Sequence, residues 1–175
     1  MNITFEQGHS SDIDELEILY NDLNDFLAGG KNYPGWIKGI YPVRETAVDG
    51  ISEKCLYVAR HNGRIVGSVI LRHKPEPIYH KAKWQIDAEY KDVFVIYTLV
   101  VHPAYFGQGI GMALMKFILT YSEERMAKAV RLDVYAGNMP AINLYKKCGF
   151  QYIDTVDLGL EHYGLKWFEL YEKVI

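Results

Sequence analysis

The sequence predicts a single domain of mixed α and β structure, and three observations predict it. Asn62-Gly63 separates two apolar runs, residues 56–59 and 65–71, in the manner of a tight hairpin, because both turn residues tolerate positive φ. Apolar residues recur at helical spacing in two long stretches, at Ile13, Leu16, Tyr20, Leu23 and Leu27 and again at Ile110, Leu114, Phe117, Ile118 and Tyr121. Residues 92–101 are rich in β-branched side chains and suit a buried strand, far short of the roughly 18 residues of a membrane span. At 175 residues, 49% hydrophobic and 23% charged, the chain has enough apolar surface for a core without disulfide or metal staples.

Composition also excludes function classes. A formal net charge of -3 leaves no global basic field for nucleic acid or anionic lipid. Cys55 and Cys148 form neither a disulfide framework nor a metal knuckle, and they read as buried or incidental thiols in a reducing compartment. His73 and His80 lack supporting Cys or carboxylate spacing, so they read as solvated loop histidines and no metal is expected. Residues 1–10 have no basic stretch followed by an apolar run, which makes the expected location cytoplasmic.

The elements follow in order. Residues 1–6 alternate as a short strand, Ser10 or Ser11 caps the first helix, with Ser11 and Asp14 as a capping box, and Gly29-Gly30 ends it. Residues 31–54 carry Gly, Pro and aromatics without a clear period and hold at most one short helix. After the hairpin, residues 73–91, with Pro75, Pro77, Trp84 and Tyr90, read as an insertion over a face of the domain, the kind of long loop that is functional or mobile. Pro103 stops the strand 92–101, and a glycine-rich turn leads into the second long helix. Val130, Leu132 and Val134 alternate with polar residues as a strand. Asn138, Pro140 and Gly149 start and stop a short helix, and residues 150–156 and 167–174 supply two final strands.

Two segments carry chemistry. In 99–111 a strand ends, the chain turns through Gly107, Gly109 and Gly111, and a helix starts. Glycines permit positive φ and close approach of a ligand, while the first amides of the helix lack intrahelical partners and its dipole favours negative charge. Together these make a diphosphate cradle. The spacing is neither the dinucleotide fingerprint, which needs glycine where Met112 stands, nor the P-loop. In the second segment, Ala141, Tyr145 and Cys148 share one helix face, so that a small residue lies one turn before a phenol.

The run Leu99-x-Val101-x-Pro103-x-x-Phe106-Gly107-Gln108-Gly109-Ile110-Gly111 resembles the acetyl-CoA signature of the GNAT superfamily of N-acetyltransferases, Arg/Gln-x-x-Gly-x-Gly/Ala after a strand and a proline. The family's Arg or Gln position falls here on Phe106. About thirty residues on, Asn138-x-x-Ala141-x-x-x-Tyr145-x-x-x-Gly149-Phe150 is similar to the family's second signature at every named position. The resemblance implies one domain over 1–175, an α/β (α+β) fold with a mixed central sheet of about six to seven strands and helices on both faces. It implies transfer of an acetyl group from acetyl-CoA, as cosubstrate, to an amine.

By position, the resemblance places the backbone of Leu99, Val100 and Val101 against pantetheine and toward the oxyanion. It places Phe106, Gly107, Gln108, Gly109, Ile110, Gly111 and Met112 at the diphosphate, and Asn138 and Ala141 beside the pantetheine arm. Tyr145 falls near the thioester sulfur as the general acid. The base is not selected: Tyr97 stands where the family often has a Glu or His, and Asp92, Glu89 and His102 are the titratable groups nearby. The acceptor pocket is expected from 31–54 and 73–91, with Trp36, Tyr41, Trp84 and Tyr97 as walls suited to a small amine. Two other readings stay open, a non-catalytic acyl-CoA sensor or interaction module and a protein or peptide acetyltransferase. Many relatives form dimers, and the last strand near Trp167 and Phe168 is the expected surface for pairing across a two-fold axis.

Overall fold

Seven strands and four helices alternate along the chain, and a computed structural model describes all of residues 1–175. The Asn62-Gly63 turn forms as expected, with φ of 50° and 78°, and joins β2 (Leu56–His61) to β3 (Arg64–Arg72) in antiparallel register. With β1 (Thr4–Gln7), β4 (Val93–Val101), β5 (Ala129–Tyr135), β6 (Gln151–Val156) and β7 (Phe168–Val174) they make one mixed sheet in the order β1-β2-β3-β4-β5-β7-β6. The helices are α1 (Ile13–Ala28), α2 (Arg44–Ser52), α3 (Ile110–Glu124) and α4 (Met139–Lys147). The expected α+β class with a seven-stranded mixed sheet is therefore what the chain forms. None of the helices is long and apolar enough to cross a membrane.

The chain groups into two compact units, one of Met1–Asn32, Trp36–Leu71 and Tyr97–Phe117, the other of Tyr33–Gly35, Arg72–Ile96 and Ile118–Ile175. In the first, the helical stripe of α1 is the core: Leu16, Leu19, Tyr20, Leu23 and Leu27 are all buried, in one cluster with Val58, Ile70 and Val100 of the sheet. Removing one of these leucine side chains costs about 2–5 kcal/mol, lost transfer plus the cavity left behind. On the opposite face Phe117 of α3 stacks on Phe5 with centroids 4.8 Å apart, and a Cβ on Gly67 would lie 3.1 Å from Leu114. Helices thus cover both faces of the sheet here. The start of α1 differs from expectation. Asp12, not Ser11, organises it: its Oδ2 accepts from the His9 amide at 2.9 Å and its Oδ1 from Arg60 at 2.7 Å. A carboxylate that ties the turn to a strand outcompetes a serine that offers only a local bond.

In the second unit the parallel pairing of β4 with β5 runs from Val93–Ala129 to Ile96–Leu132 and stops there. β5 and β7 share a buried ion pair, Arg131 Nε to Glu172 Oε1 at 2.8 Å, with the two residues 2% and 0% exposed. The insertion docks onto this pair. Gln85 N donates to Glu172 Oε2 at 2.7 Å, Arg131 Nη2 donates to Ile86 O at 2.9 Å, and Trp84 covers the guanidinium at 4.3 Å. Stripping one partner from such a buried pair typically costs about 3–5 kcal/mol, so the insertion is anchored to a stiff plate. His73 is exposed, as expected of a loop histidine, yet it also ties the insertion to β4: Nδ1 lies 2.8 Å from Val93 O, and the ring lies tilted against Phe94 with centroids 4.3 Å apart. Both edges of β7 are taken, by β5 and β6, so the expected two-fold pairing has no free edge there; β1 and β6 hold the outer edges. No disulfide joins Cys55 and Cys148.

Candidate active site

In the first unit, the end of β4 and the glycine corner form one continuous piece of backbone. Thr98 has φ of 47°, a left-handed conformation in the middle of a strand and costly for a β-branched residue, on the order of 1–3 kcal/mol. The residue is 7% exposed, and its hydroxyl makes a short hydrogen bond with that of Tyr41. Beyond this kink Val100 turns into the core, while Leu99 and Val101 stay partly exposed. His102 Nδ1 accepts from Ala104 N at 3.1 Å, and Nε2 lies 3.3 Å from Asp22. The imidazole is therefore occupied in shaping the turn Pro103–Tyr105.

Gly107 and Gly109 take φ of 73° and 84°, and a Cβ at either would meet nothing within 4 Å. Conformation rather than crowding within the protein demands glycine at both places. The first helical bond of α3 is Ala113 N to Gly109 O at 2.9 Å, and Gln108 N donates to Tyr105 O at 3.3 Å. The amides of Gly107, Gly109, Ile110 and Gly111 have no backbone acceptor. A helix start with several unpaired N–H groups fits a diphosphate. Phe106 is 44% exposed, and its ring meets Phe26 edge-on with centroids 5.3 Å apart. An aromatic pair therefore stands where a cationic or amide side chain was expected.

The expected acceptor aromatics divide. Trp36 and Tyr41 meet edge-on at 5.5 Å, and Trp36 and Tyr97 pack against the α1 core. Their segment is pinned by Asn32 to Trp36 O at 2.6 Å, Lys38 to Asp25 at 2.6 Å, and Asn24 to the carbonyls of Tyr41 and Pro42 at 3.3 Å. Trp84 is bound into the second unit, with Nε1 donating to Tyr79 O at 2.8 Å and its face on Arg131.

Also in the second unit, Asn138 caps α4 by accepting from Ala141 N at 3.4 Å, and Gly149 closes it with φ of 82°. Tyr145 is 7% exposed and its ring leans on Phe150. The hydroxyls of the buried Tyr20, Tyr79 and Tyr171 each have a side-chain partner; that of Tyr145 has none. Burial first, then the charge of Asp133, raises its pKa well above the ordinary phenol value. It stays protonated, a donor without an acceptor.

Asp133 is the residue immediately past the last β4–β5 pair, and burial pushes its pKa up to about 6. The Tyr79 hydroxyl, donating to Oδ2 at 2.6 Å, pulls it down, and the charge of Glu76 pushes it up. Of the groups near β4 expected from sequence, Asp92 is held below the ordinary carboxylate range by its hydrogen bond to Lys128, with Nζ and Oδ2 2.9 Å apart, and Glu89 pairs with Lys91 at 2.6 Å.

A family model for the Acetyltransferase (GNAT) family matches residues 17–150. The chain belongs to the GNAT acetyltransferase family. An uncharacterized N-acetyltransferase of Methanocaldococcus jannaschii is 30% identical to this GNAT chain over 146 residues, 79% of the chain and 61% of that protein. The ribosomal protein bS18-alanine N-acetyltransferase of Escherichia coli K12 is 36% identical over 59 residues, 34% of the chain and 40% of that enzyme. The chain thus spans less than two thirds of the length of either relative. A solved structure of an acetyltransferase from Salmonella typhimurium with its cofactor acetyl-CoA shares the fold, with a TM-score of 0.71 at 13% identity over 98% of this chain and 93% of that one.

Three residues of this GNAT chain, one in the first unit and two in the second, take settings that the sequence does not reveal. Thr98 looks like any strand threonine until its φ is known. Asp133 occupies a polar position in an alternating strand, which reads as solvent-facing. Tyr79 sits in an insertion with no period. The one available signal was a carboxylate twelve positions before the signature tyrosine, on the strand that leads into its helix.

Proposed function

We propose that the chain transfers the acetyl group of acetyl-CoA to the primary amine of a small molecule, with Asp133 as the general base and Tyr145 as the hydrogen-bond donor to the leaving sulfur. The observation that carries this reading is the electrostatic coupling of a half-buried carboxyl at about 6 to a buried, protonated phenol. The glycine corner supports assignment of the diphosphate to the amides of Gly107, Gly109, Ile110 and Gly111. Acetyl-CoA supplies the activated thioester carbonyl.

The chemistry follows from the acidities. A free ammonium titrates at about 10, so a carboxylate near 6 does not remove its proton outright. The neutral fraction of the amine, its ammonium proton already lost to water, attacks the carbonyl carbon; its N–H then acidifies, and Asp133 takes that second proton as the C–S bond breaks. The leaving thiol has a pKa of about 8.5, below even an unperturbed phenol at about 10. A full proton transfer from Tyr145 to sulfur is therefore uphill, and burial makes it more so. Tyr145 stabilises the departing thiolate by donating a hydrogen bond, a narrower role than the general acid that the resemblance implies. The two groups cooperate: when Asp133 gains its proton, the negative charge that raises the Tyr145 pKa disappears, and the phenol becomes a better donor.

The pinned aromatic segment around Trp36 and Tyr41 supports a compact acceptor. An amine panel scored by release of free thiol tests the proposal. Small amines are expected to support turnover where peptides with N-terminal alanine do not. Turnover on peptides alone would move the assignment to a protein acetyltransferase. Acetyl-CoA uptake by calorimetry with no thiol release on any amine would leave a binding module, the reading favoured by Phe106 in the cation's place.

A further inference from the structure

We infer that Tyr79, carried by the insertion, is a positioning residue for the reaction: its hydroxyl holds Oδ2 of Asp133 and so leaves Oδ1 as the oxygen that receives the proton. The inference rests on Asp133 being the base. Its geometric ground is independent of that reading. Tyr79 is 1% exposed and donates to Asp133 at 2.6 Å, within the range of strong charge-assisted bonds. Its own place is over-determined. Tyr79 N donates to Glu76 O at 2.9 Å, Trp84 Nε1 donates to Tyr79 O at 2.8 Å, and the two rings pack 5.2 Å apart. Trp84 in turn lies on the guanidinium of Arg131, which is fixed by Glu172. A chain of contacts therefore runs from the buried ion pair of β5 and β7, through Trp84 and Tyr79, back to the carboxylate two residues along β5. No other side chain bonds to Asp133; a backbone hydrogen bond within the residue also favours its ionised form, and with Tyr79 on Oδ2 it is Oδ1 that faces no side-chain donor.

The groups that face Asp133 define what a change at Tyr79 does. On its own strand, Arg131 shares its face, but the cation is committed to Glu172. From the insertion come Tyr79 and the anionic Glu76; from α4 come the phenol of Tyr145 and, behind it, the Cys148 thiol. β7 places uncharged Leu170 directly opposite. Tyr79 is the one group among these that stabilises the ionised carboxylate by a hydrogen bond. A carboxylate without that bond holds its proton more tightly.

The test compares wild type with Tyr79→Phe and Glu76→Gln, reading both the pH profile of kcat/KM and the direct titration of the Asp133 carboxyl by carbon NMR. In Tyr79→Phe the carboxyl titration and the acid limb are expected to move up together, on the order of one pH unit, with the plateau at high pH retained within a few-fold. In Glu76→Gln, which removes a repelling charge, both are expected to move the other way. An unmoved carboxyl titration in folded Tyr79→Phe overturns the inference, whatever the rate does. Asp133→Asn separates the two levels: if the acid limb survives in it, the base assignment fails, whereas the titration shift still tests whether Tyr79 holds the carboxylate. Should Tyr79→Phe fail to fold, the opposite shift in Glu76→Gln remains, and its absence overturns the electrostatic account of the nest.

Discussion

The glycine corner at 107–111 and the nest around Asp133 do their chemistry by opposite means. The corner is backbone: two left-handed glycines and a helix start whose unpaired amides point outward because the helix geometry leaves them nowhere else to bond. The unpaired amides are there whatever side chain stands at 106, where Phe106 takes the position of the family's usual cation or amide. The nest is side chain: a carboxylate, two phenols and an ion pair, each shifted or fixed by what buries it. A site made of backbone tolerates substitution and is expected to show small, additive effects. A site made of coupled buried groups is expected to break sharply at single atoms.

Asp133→Asn should break the comparison hardest. Loss of the base is expected to lower kcat/KM by roughly 10²–10⁴ while acetyl-CoA binding, measured by calorimetry, is unchanged. Retained turnover would mean that proton removal belongs elsewhere. The same variant carries a stability signature. A carboxyl raised from 3.8 to about 6 in the fold has its proton bound more tightly by the native state, so the stability it contributes is complete below about pH 4 and is lost as pH rises through 6. Asparagine keeps the acceptor for Tyr79 and removes the buried charge. Thermal melts are expected to show Asp133→Asn gaining on wild type between pH 4 and 6 and then running parallel, by on the order of 2–3 kcal/mol.

Tyr145→Phe comes next. If the phenol only donates a hydrogen bond to sulfur, turnover falls by roughly ten- to a hundredfold, and the loss shrinks with acyl donors whose thiol leaving group is more acidic. A loss independent of the leaving group would put the phenol on the carbonyl oxygen instead. The smallest effect belongs to the corner. Phe106→Arg is expected to tighten acetyl-CoA binding by up to about tenfold at low salt, with the gain fading as ionic strength rises, because an exposed cation beside a diphosphate is screened. No change would mean that the Phe106–Phe26 contact keeps position 106 away from the phosphates.

How far the sequence reaches follows the same division. The hairpin at Asn62-Gly63, the α1 stripe, the capped helix from Asn138 to Gly149 and the glycine corner were all legible, since each depends on residues within one or two turns of one another. The start of α1 was misread because Asp12 answers to Arg60, 48 residues away. The contacts of His73 and Trp84 were hidden for the same reason: their partners, Val93 and Arg131, come from strands far along the chain.

By itself, then, the order of residues determined where the backbone turns, which faces are apolar and where a helix starts behind a glycine corner with unpaired amides, because those are set by local dihedral preference and periodicity. Tertiary structure decided which carboxylate has a raised pKa. Asp133 acquires its raised pKa from the surroundings that desolvate it, and Tyr145 from burial and the nearby charge of Asp133; desolvation is a property of surroundings that no stretch of sequence contains.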